Sequence, residues 1–291
     1  MIAAPRASFS VPLAGRAPLV LGPRTLVMGV INVTPDSFSD GGRALDPARA
    51  LEVALAMESA GADIIDVGAE STRPGAAPVA AAEEVARLRP ALKAMAGRVK
   101  APVSVDTYKS DVAAAALDEG AAIVNDVSAF AFDPPLGRLV AERGVPAVLM
   151  HTRGRPQDMY AMADYADAVS EIVAELGKAV TRAEDYGVPR QRLIVDPGLG
   201  FAKRAPHSMA ALVALDRLAE LGLPILVGPS RKSFLAAATG PLDAEARDWP
   251  TAAAVTAAVL GGAHIVRVHS VEKMIHVVRM ADALRLAATG R

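Results

Sequence analysis

The chain has 291 residues, with 31 Lys and Arg against 32 Asp and Glu for a formal net charge of -1, and it contains no cysteine. That balance leaves no broad basic footprint for nucleic acid or an anionic membrane, and the lack of thiols excludes disulfides, thiolate metal sites and cysteine nucleophiles. The mean hydropathy of +0.29 comes from alanine-rich stretches such as residues 251–260, no apolar run reaches the ~18 residues that span a bilayer, and prolines and arginines from Pro5 to Pro18 interrupt any signal-peptide core. The expectation is a cytoplasmic protein.

In chain order, residues 9–13 and 18–21 lie either side of Gly15 and predict a small hairpin, within a segment 1–26 that precedes a barrel and plugs its N-terminal end. Eight short, largely β-branched runs follow, each ending on a polar residue or turn. They are 27–31 before Asn32, 64–65 before Asp66, 103–105 before Asp106, 123–124 before Asn125, 147–150 before His151, 193–195 before Asp196, 225–227 before Gly228 and Ser230, and 265–268 around Arg267 and before His269. Short continuous apolar runs read as strands buried on both faces, with crossover helices between them. The first helix opens with Asp46 as N-cap and Pro47 at its first position and stops at Gly61. Later helices are predicted over 80–96, 110–119, 135–143, 163–186, 208–221, 230–238, 251–260 and 271–288. Eight units of about 36 residues make an α/β protein with a single (β/α)8 TIM barrel over 27–291, whose active site lies at the strand ends.

The connections 32–43 and 68–75 are rich in glycine, proline and small hydroxyl residues, which suits loops that close over a ligand. Phe38 in the first of them either covers a flat substrate or packs on the rim. Asp66, Asp106 and Asp196 end strands at the catalytic face, whereas Asp63 begins a strand at the opposite rim and reads as structural. Asp106, Asn125 and Asp196 together offer acceptors to a flat heterocycle with adjacent N–H donors. Arg73, Lys203, Lys232, Arg267 and His269, with Arg231 beside them, suggest an anionic substrate such as a diphosphate, unless they pair with Asp66, Glu70 or Asp196. Ser233 opens a helix and offers a hydroxyl and an N–H to a carboxylate. His151 has no partner at ligand spacing for a zinc site, and the glycines at 198–200 and 228–233 complete neither a dinucleotide fingerprint nor a phosphate loop.

The segments 27–42, 66–75 (Asp-Val-Gly-Ala-Glu-Ser-Thr-Arg-Pro-Gly), 105–107, 125–126, 150–151, 196–201 (Asp-Pro-Gly-Leu-Gly-Phe), 230–234 (Ser-Arg-Lys-Ser-Phe) and 267–269 (Arg-Val-His) closely resemble the dihydropteroate synthase family, in family order across the whole barrel. The resemblance implies joining of 4-aminobenzoate to a (7,8-dihydropterin-6-yl)methyl diphosphate, with release of diphosphate and formation of 7,8-dihydropteroate. It implies that Asp106, Asn125, Asp196 and Lys232 bind the pterin ring, and that Asn32 ligates Mg²⁺ carried on the diphosphate. Thr72, Arg267 and His269 would hold the diphosphate oxygens. Phe38, Thr72, Pro74 and Ser233 would form the 4-aminobenzoate site, where sulfonamides also bind, with Phe201 a further substrate contact. Asp40, Lys232 and Arg267 would be the catalytic set, Asp40 beside the cationic methylene. A homodimer through late helices is implied, with no nucleic-acid or membrane partner.

Thr152, Ala202, Ser208 and Ser270 stand where the family commonly has Met, Gly, Asn and Asp. Two alternatives are a barrel like a methyltetrahydrofolate methyltransferase domain, against which the Thr34 to Phe38 loop and the Ser230 to Ser233 segment argue, and a catalytically silent pterin-binding relative. His151 and Asp66 read as braces for neighbouring loops.

Overall fold

Strands β1 (Phe9–Val11) and β2 (Leu19–Leu21) pair antiparallel, Phe9 opposite Leu21, as the hairpin around Gly15 requires. The computed structural model describes residues 3–34, 46–243 and 245–289. Eight parallel strands follow: β3 (Leu26–Asn32), β4 (Ile64–Gly68), β5 (Val103–Asp106), β6 (Ile123–Asp126), β7 (Ala147–Met150), β8 (Leu193–Asp196), β9 (Leu226–Val227) and β10 (Ile265–Val268). They form one sheet in the order β8-β7-β6-β5-β4-β3-β10-β9. A bridge between Val195 and Ile225 joins its two edges and closes the barrel.

The helices are α1 (Pro47–Ala60), α2 (Ala81–Met95), α3 (Ser110–Asp118), α4 (Pro135–Arg143), α5 (Ala168–Asp185), α6 (Ala205–Val213), α7 (Leu215–Ala219), α8 (Ala236–Thr239), α9 (Asp248–Leu260) and α10 (Val271–Thr289). Helix α1 ends as predicted, on Gly61 at φ +107°, whose N–H returns to the Glu58 carbonyl, but Asp46 makes no side-chain cap bond. Four expected helices change. The stretch 163–186 becomes helical only at Ala168, because Asp167 caps it by accepting from the Ser170 N–H at 3.2 Å. The stretch 208–221 starts at Ala205 and divides at Ala214 into α6 and α7. The stretch 230–238 is a 3₁₀ turn over Ser233–Leu235 followed by the four residues of α8. The stretch 251–260 extends back to Asp248, since Pro250 sits in the first turn, where a missing N–H costs no helical bond. No described helix is long and apolar enough to cross a membrane.

Alternation along the strands divides the barrel interior into layers. At the bottom, Met28, Ile64, Ile123, Val148, Ile194, Leu226 and Ile265 pack against Val11, Leu13, Leu19 and Leu21 of the hairpin segment, which therefore plugs this end as expected. The intervening residues, among them Ile65, Val124, Val195 and Val266, face outward into the larger core beneath the helices. Two residues beyond Ile64, Ile123, Ile194 and Ile265 stand Asp66, Asn125, Asp196 and Arg267. The same pleat that fills the plug with isoleucine thus lines the next interior layer with polar groups. At the lower rim Asp63 accepts from the Val27 N–H at 2.9 Å and pairs with Arg24 at 2.5 Å, the structural role its position suggests.

Candidate active site at the barrel mouth

Register brings Asn32 beside Gly68, Gly68 beside Asp106, and Asp106 beside Asn125 at the upper ends of β3 to β6. A side chain at Gly68 would meet the Asp106 Cβ at 3.3 Å, so glycine there leaves room for that carboxylate. Arg267 rises from β10 between two carboxylates: its Nε donates to Asp66 Oδ2 at 2.7 Å and its Nη2 to Asp106 Oδ2 at 2.6 Å. Asn125 Nδ2 donates to the same Asp66 oxygen at 3.1 Å. Asp66 is therefore the hub that orients both Arg267 and Asn125. Arg267 is the cation bound to Asp66, while Lys203 sits on His151 and pairs with none of Asp66, Glu70 and Asp196 among the described residues.

Burial, partly offset by Arg267, raises the Asp106 carboxyl to about 7. Burial opposes the charge of Arg267 too, but Asp66 and Asp106 outweigh it and raise the guanidinium pKa above its ordinary value. The other Asp66 oxygen, Oδ1, is buried without a hydrogen-bond partner among the described residues. A buried acceptor of this kind is costly unless something supplies a donor.

Asp196 ends β8 and accepts from the Gly198 N–H at 2.7 Å through Oδ1. Burial raises its pKa, against the opposing charges of Lys232, Arg267 and Lys203. Lys232 reaches across to donate to the Leu199 carbonyl at 2.5 Å, and its Nζ lies 4.5 Å from the Phe201 ring centroid. Burial lowers Lys232 to about 8 despite Asp196. Phe201 packs with Met150, Val127 and Tyr108, which gives the mouth an apolar wall beside its polar strand ends. Arg231, next to Lys232, takes φ +57° and turns away to pair with Asp248 at 2.8 Å. Arg231 is structural.

His269 donates its backbone N–H to Ser230 Oγ at 3.2 Å, and that hydroxyl lies 3.0 Å from Nδ1. When the serine proton goes to Nδ1, the ring hydrogen is left on Nε2. Burial, with Arg267, Arg231, Arg73 and Lys232 nearby, lowers His269 to about 3, so the ring is neutral. Thr72 is half-buried, and Arg73 and Pro74 are exposed, on the loop after β4. Lys109 fixes the two ends of that loop, bonding Glu70 and donating to the Val79 carbonyl at 2.7 Å and to Glu84 at 2.6 Å. Ser233 is exposed, with its Oγ 3.5 Å from the Tyr160 hydroxyl. It opens only the short turn before α8.

Phe38 and Asp40 lie outside the described residues. Asp106, Asn125 and Arg267 form one cluster bonded through Asp66, and Lys232, from the segment after β9, bonds the turn that follows Asp196. Asn32, Thr72, Pro74, Ser233 and His269 stand at the rim without direct side-chain bonds to that cluster among the described residues. The hub role of Asp66 and the approach of Tyr160 to Ser233 are not evident in the sequence. The isoleucine two places before Asp66 was the available signal for the former, and nothing marked the latter. Among the described residues no three His, Cys, Asp or Glu side chains could hold a metal ion.

This polar layer at a barrel mouth belongs to a known class: residues 28–269 match the pterin-binding enzyme family, and the chain belongs to it. It is similar to a dihydropteroate synthase of Synechocystis sp., 44% identical over 263 residues that cover 90% of this chain and 91% of that one. It is also 43% identical over 275 residues to a mitochondrial folate synthesis bifunctional protein of Arabidopsis thaliana, of which it spans 50%. The crystal structure of Xanthomonas albilineans dihydropteroate synthase with 4-aminobenzoic acid superposes with a TM-score of 0.89 at 39% identity, covering 96% of this chain and 99% of that one. Within the family the chain stands with the dihydropteroate synthases, transferases that form a C–N bond.

Proposed function

We propose that the barrel mouth condenses 4-aminobenzoate with (7,8-dihydropterin-6-yl)methyl diphosphate to give 7,8-dihydropteroate and diphosphate. The carrying observation is the polar interior layer of Asp66, Asp106, Asn125, Asp196, Lys232 and Arg267, with a buried Asp66 oxygen that has no donor among the described residues. A pterin ring with adjacent N–H groups supplies the donors such a layer needs. Asp106, Asn125 and Asp196 accept from or bond the ring edge, Lys232 donates to it, and Phe201 lies along its face.

The neutral His269 offers its Nε2–H, and Arg267 its charge, to the oxygens of the diphosphate, with Thr72 beside them. The chemistry then proceeds by charge separation. The methylene C–O bond breaks, its electron pair leaves with the diphosphate, and the remaining pterin cation is stabilised by the anionic groups, Asp40 included in this reading. The 4-aminobenzoate nitrogen attacks the methylene carbon, forms the C–N bond and loses a proton to solvent. Pro74, Ser233 and Phe38 orient the arylamine, so the protein contributes positioning, leaving-group neutralisation and exclusion of water.

Mg²⁺ fits this site as a companion of the diphosphate. Asn32 provides one neutral oxygen, and the described residues provide no carboxylate cage, which suits an ion that keeps waters and phosphate oxygens. When bound it neutralises charge on the leaving group. Exposed Trp249 on α9 and Met280 and Leu284 on α10 support a homodimer through the late helices. A cytoplasmic location completes the reading and is checked by fractionation. The deciding experiment is diphosphate release by the purified protein: it should require 4-aminobenzoate, the pterin diphosphate and Mg²⁺ together, and its absence in folded protein overturns the proposal.

A further inference from the structure

Lys203 is 1% exposed, lies in the turn after β8, and is not used by the reaction just described. Its Nζ is 2.7 Å from His151 Nδ1, 3.0 Å from the Phe201 carbonyl and 3.3 Å from the His151 carbonyl. Three acceptors match the three N–H donors of an ammonium, whereas a neutral amine has two. The far side of the imidazole completes the assignment, because His151 Nε2 lies 2.9 Å from Glu175 Oε2. Glu175 is held ionised by His151 and Arg153, which bring its pKa down to about 2, so it takes the ring proton on Nε2 and leaves the Nδ1 lone pair for Lys203. Burial brings His151 to about 4, which keeps the ring neutral. Burial also lowers the Lys203 pKa well below the ordinary lysine value, and the charge of Asp196 opposes it.

The contacts of this network fall on the turn that carries the pocket. Gly198 takes φ +66°, and a Cβ there would come within 2.0 Å of the His151 carbonyl oxygen, so the turn lies directly on the end of β7. The His151 N–H bonds the Asp196 carbonyl at 2.9 Å. Between Asp196 and Lys203 the turn supplies the Gly198 N–H to Asp196, the Leu199 carbonyl to Lys232 and the Phe201 ring beneath that ammonium. Ala202 within it takes φ +48°, a strained value for a residue with a Cβ. A strained turn persists where its surroundings hold it.

We infer that Lys203 is a positioning residue for the reaction: held by His151 and Glu175, it pins the 196–203 turn to β7 and so fixes Asp196, Phe201 and the partner carbonyl of Lys232 in the geometry that receives the pterin ring. This inference rests on the reading of the mouth as a pterin site. His151, which matches no metal pattern, is the neutral acceptor that keeps the lysine in place, and Glu175 sets its tautomer.

The test is titration of the full-length protein with pterin-6-carboxylate, together with KM for each substrate and thermal unfolding. Lys203→Met and His151→Leu should each weaken pterin binding about tenfold and raise KM for the pterin diphosphate in step, with KM for 4-aminobenzoate within about twofold of the parent. His151→Asn, which keeps an acceptor near the Nδ1 position, should recover binding to within about threefold. Should Lys203→Met fail to fold, the His151 pair decides. Equal pterin binding by the parent, His151→Leu and His151→Asn overturns the positioning role, as does an equal rise of both KM values. Failure of the parent itself to bind the pterin overturns the reading of the pocket instead.

Discussion

Asp196 and Lys232 are the residues whose removal separates chemistry from folding. Each sits on a turn at the open end of the barrel, far from the isoleucine plug, so Asp196→Ala or Lys232→Ala should lower kcat/KM by on the order of 100- to 1,000-fold with an unchanged circular dichroism spectrum. Near-normal turnover in either removes the proposed pocket. The same neighbourhood predicts a pH profile. Asp106, raised to about 7 by burial, accepts a ring N–H most strongly when ionised, while Lys232, lowered to about 8 by burial, donates most strongly when protonated. For the free enzyme, kcat/KM for the pterin diphosphate should therefore rise as Asp106 loses its proton and fall as Lys232 loses its own, giving a narrow bell centred between them. A profile flat from about pH 6 to 9 would contradict these assignments. His269, already neutral well below this window, adds no break of its own.

Much of this was written in residue order. Ile-Ile-Asp, Ile-Val-Asn, Ile-Val-Asp and Ile-Val-Arg within β4, β6, β8 and β10 carry strand, plug and pocket in three letters each, although Asp66 lies in mid-strand rather than at the strand end its sequence suggests, since β4 runs on to Gly68. What the order of residues does not carry is pairing across strands. In sequence Arg267 is either an anion binder or the partner of an acid, and only the fold decides, setting it 2.6–2.7 Å from Asp66 and Asp106, residues 201 and 161 positions away. His151 reads as an isolated histidine until Lys203 and Glu175 close around it.

At the scale of elements, the loop after β4 owes its shape to one lysine. Lys109, at the N-terminus of α3, bonds Glu70 at the loop's start, the Val79 carbonyl at its end and Glu84 in α2. Glu84 is 1% exposed, and burial raises its pKa even with Lys109 in place. Lys109→Met leaves this acid unpaired and should cost about 3–5 kcal/mol in denaturant unfolding, because a buried charge loses its partner. KM for both substrates should rise, since the freed loop carries Thr72 beside the diphosphate and Pro74 beside the arylamine. Elements also show where local signals stop. Gly61 marks the end of α1 in sequence and structure alike, but nothing in residues 208–221 announces the break at Ala214, after which Leu215 and Leu218 are buried. The late start of α5 is legible only if Asp167 and Glu171, which accept the N–H groups around the helix start, are read as a cap.

Across the whole molecule, the first residues are locked to the last helix. Arg6 is buried and donates to the Gly22 carbonyl at 3.0 Å, Thr25 at 2.6 Å, the Ala263 carbonyl at 2.9 Å and Asp282 of α10 at 3.0 Å. Arg6→Ala should lower unfolding free energy by about 3–5 kcal/mol by leaving Asp282 without its cation. At a temperature where the variant is folded, its kcat should match the parent, because this lock lies at the opposite end from the mouth. A large loss of kcat would mean that the plug communicates with the site.

The plug has a further consequence for traffic. With hydrophobic side chains sealing one end of the barrel, the mouth is the sole doorway among the described residues, and whatever occupies the outer loops stands in the path of anything bound deeper. In the proposed reading the heterocycle groups lie on the strand ends and the arylamine groups on the rim, which predicts a queue: the ring enters first, the amine closes behind it, and the joined product backs out through the opening by which both arrived. An arylamine seated early is then an obstacle to the other substrate, and excess 4-aminobenzoate should slow turnover competitively with the pterin.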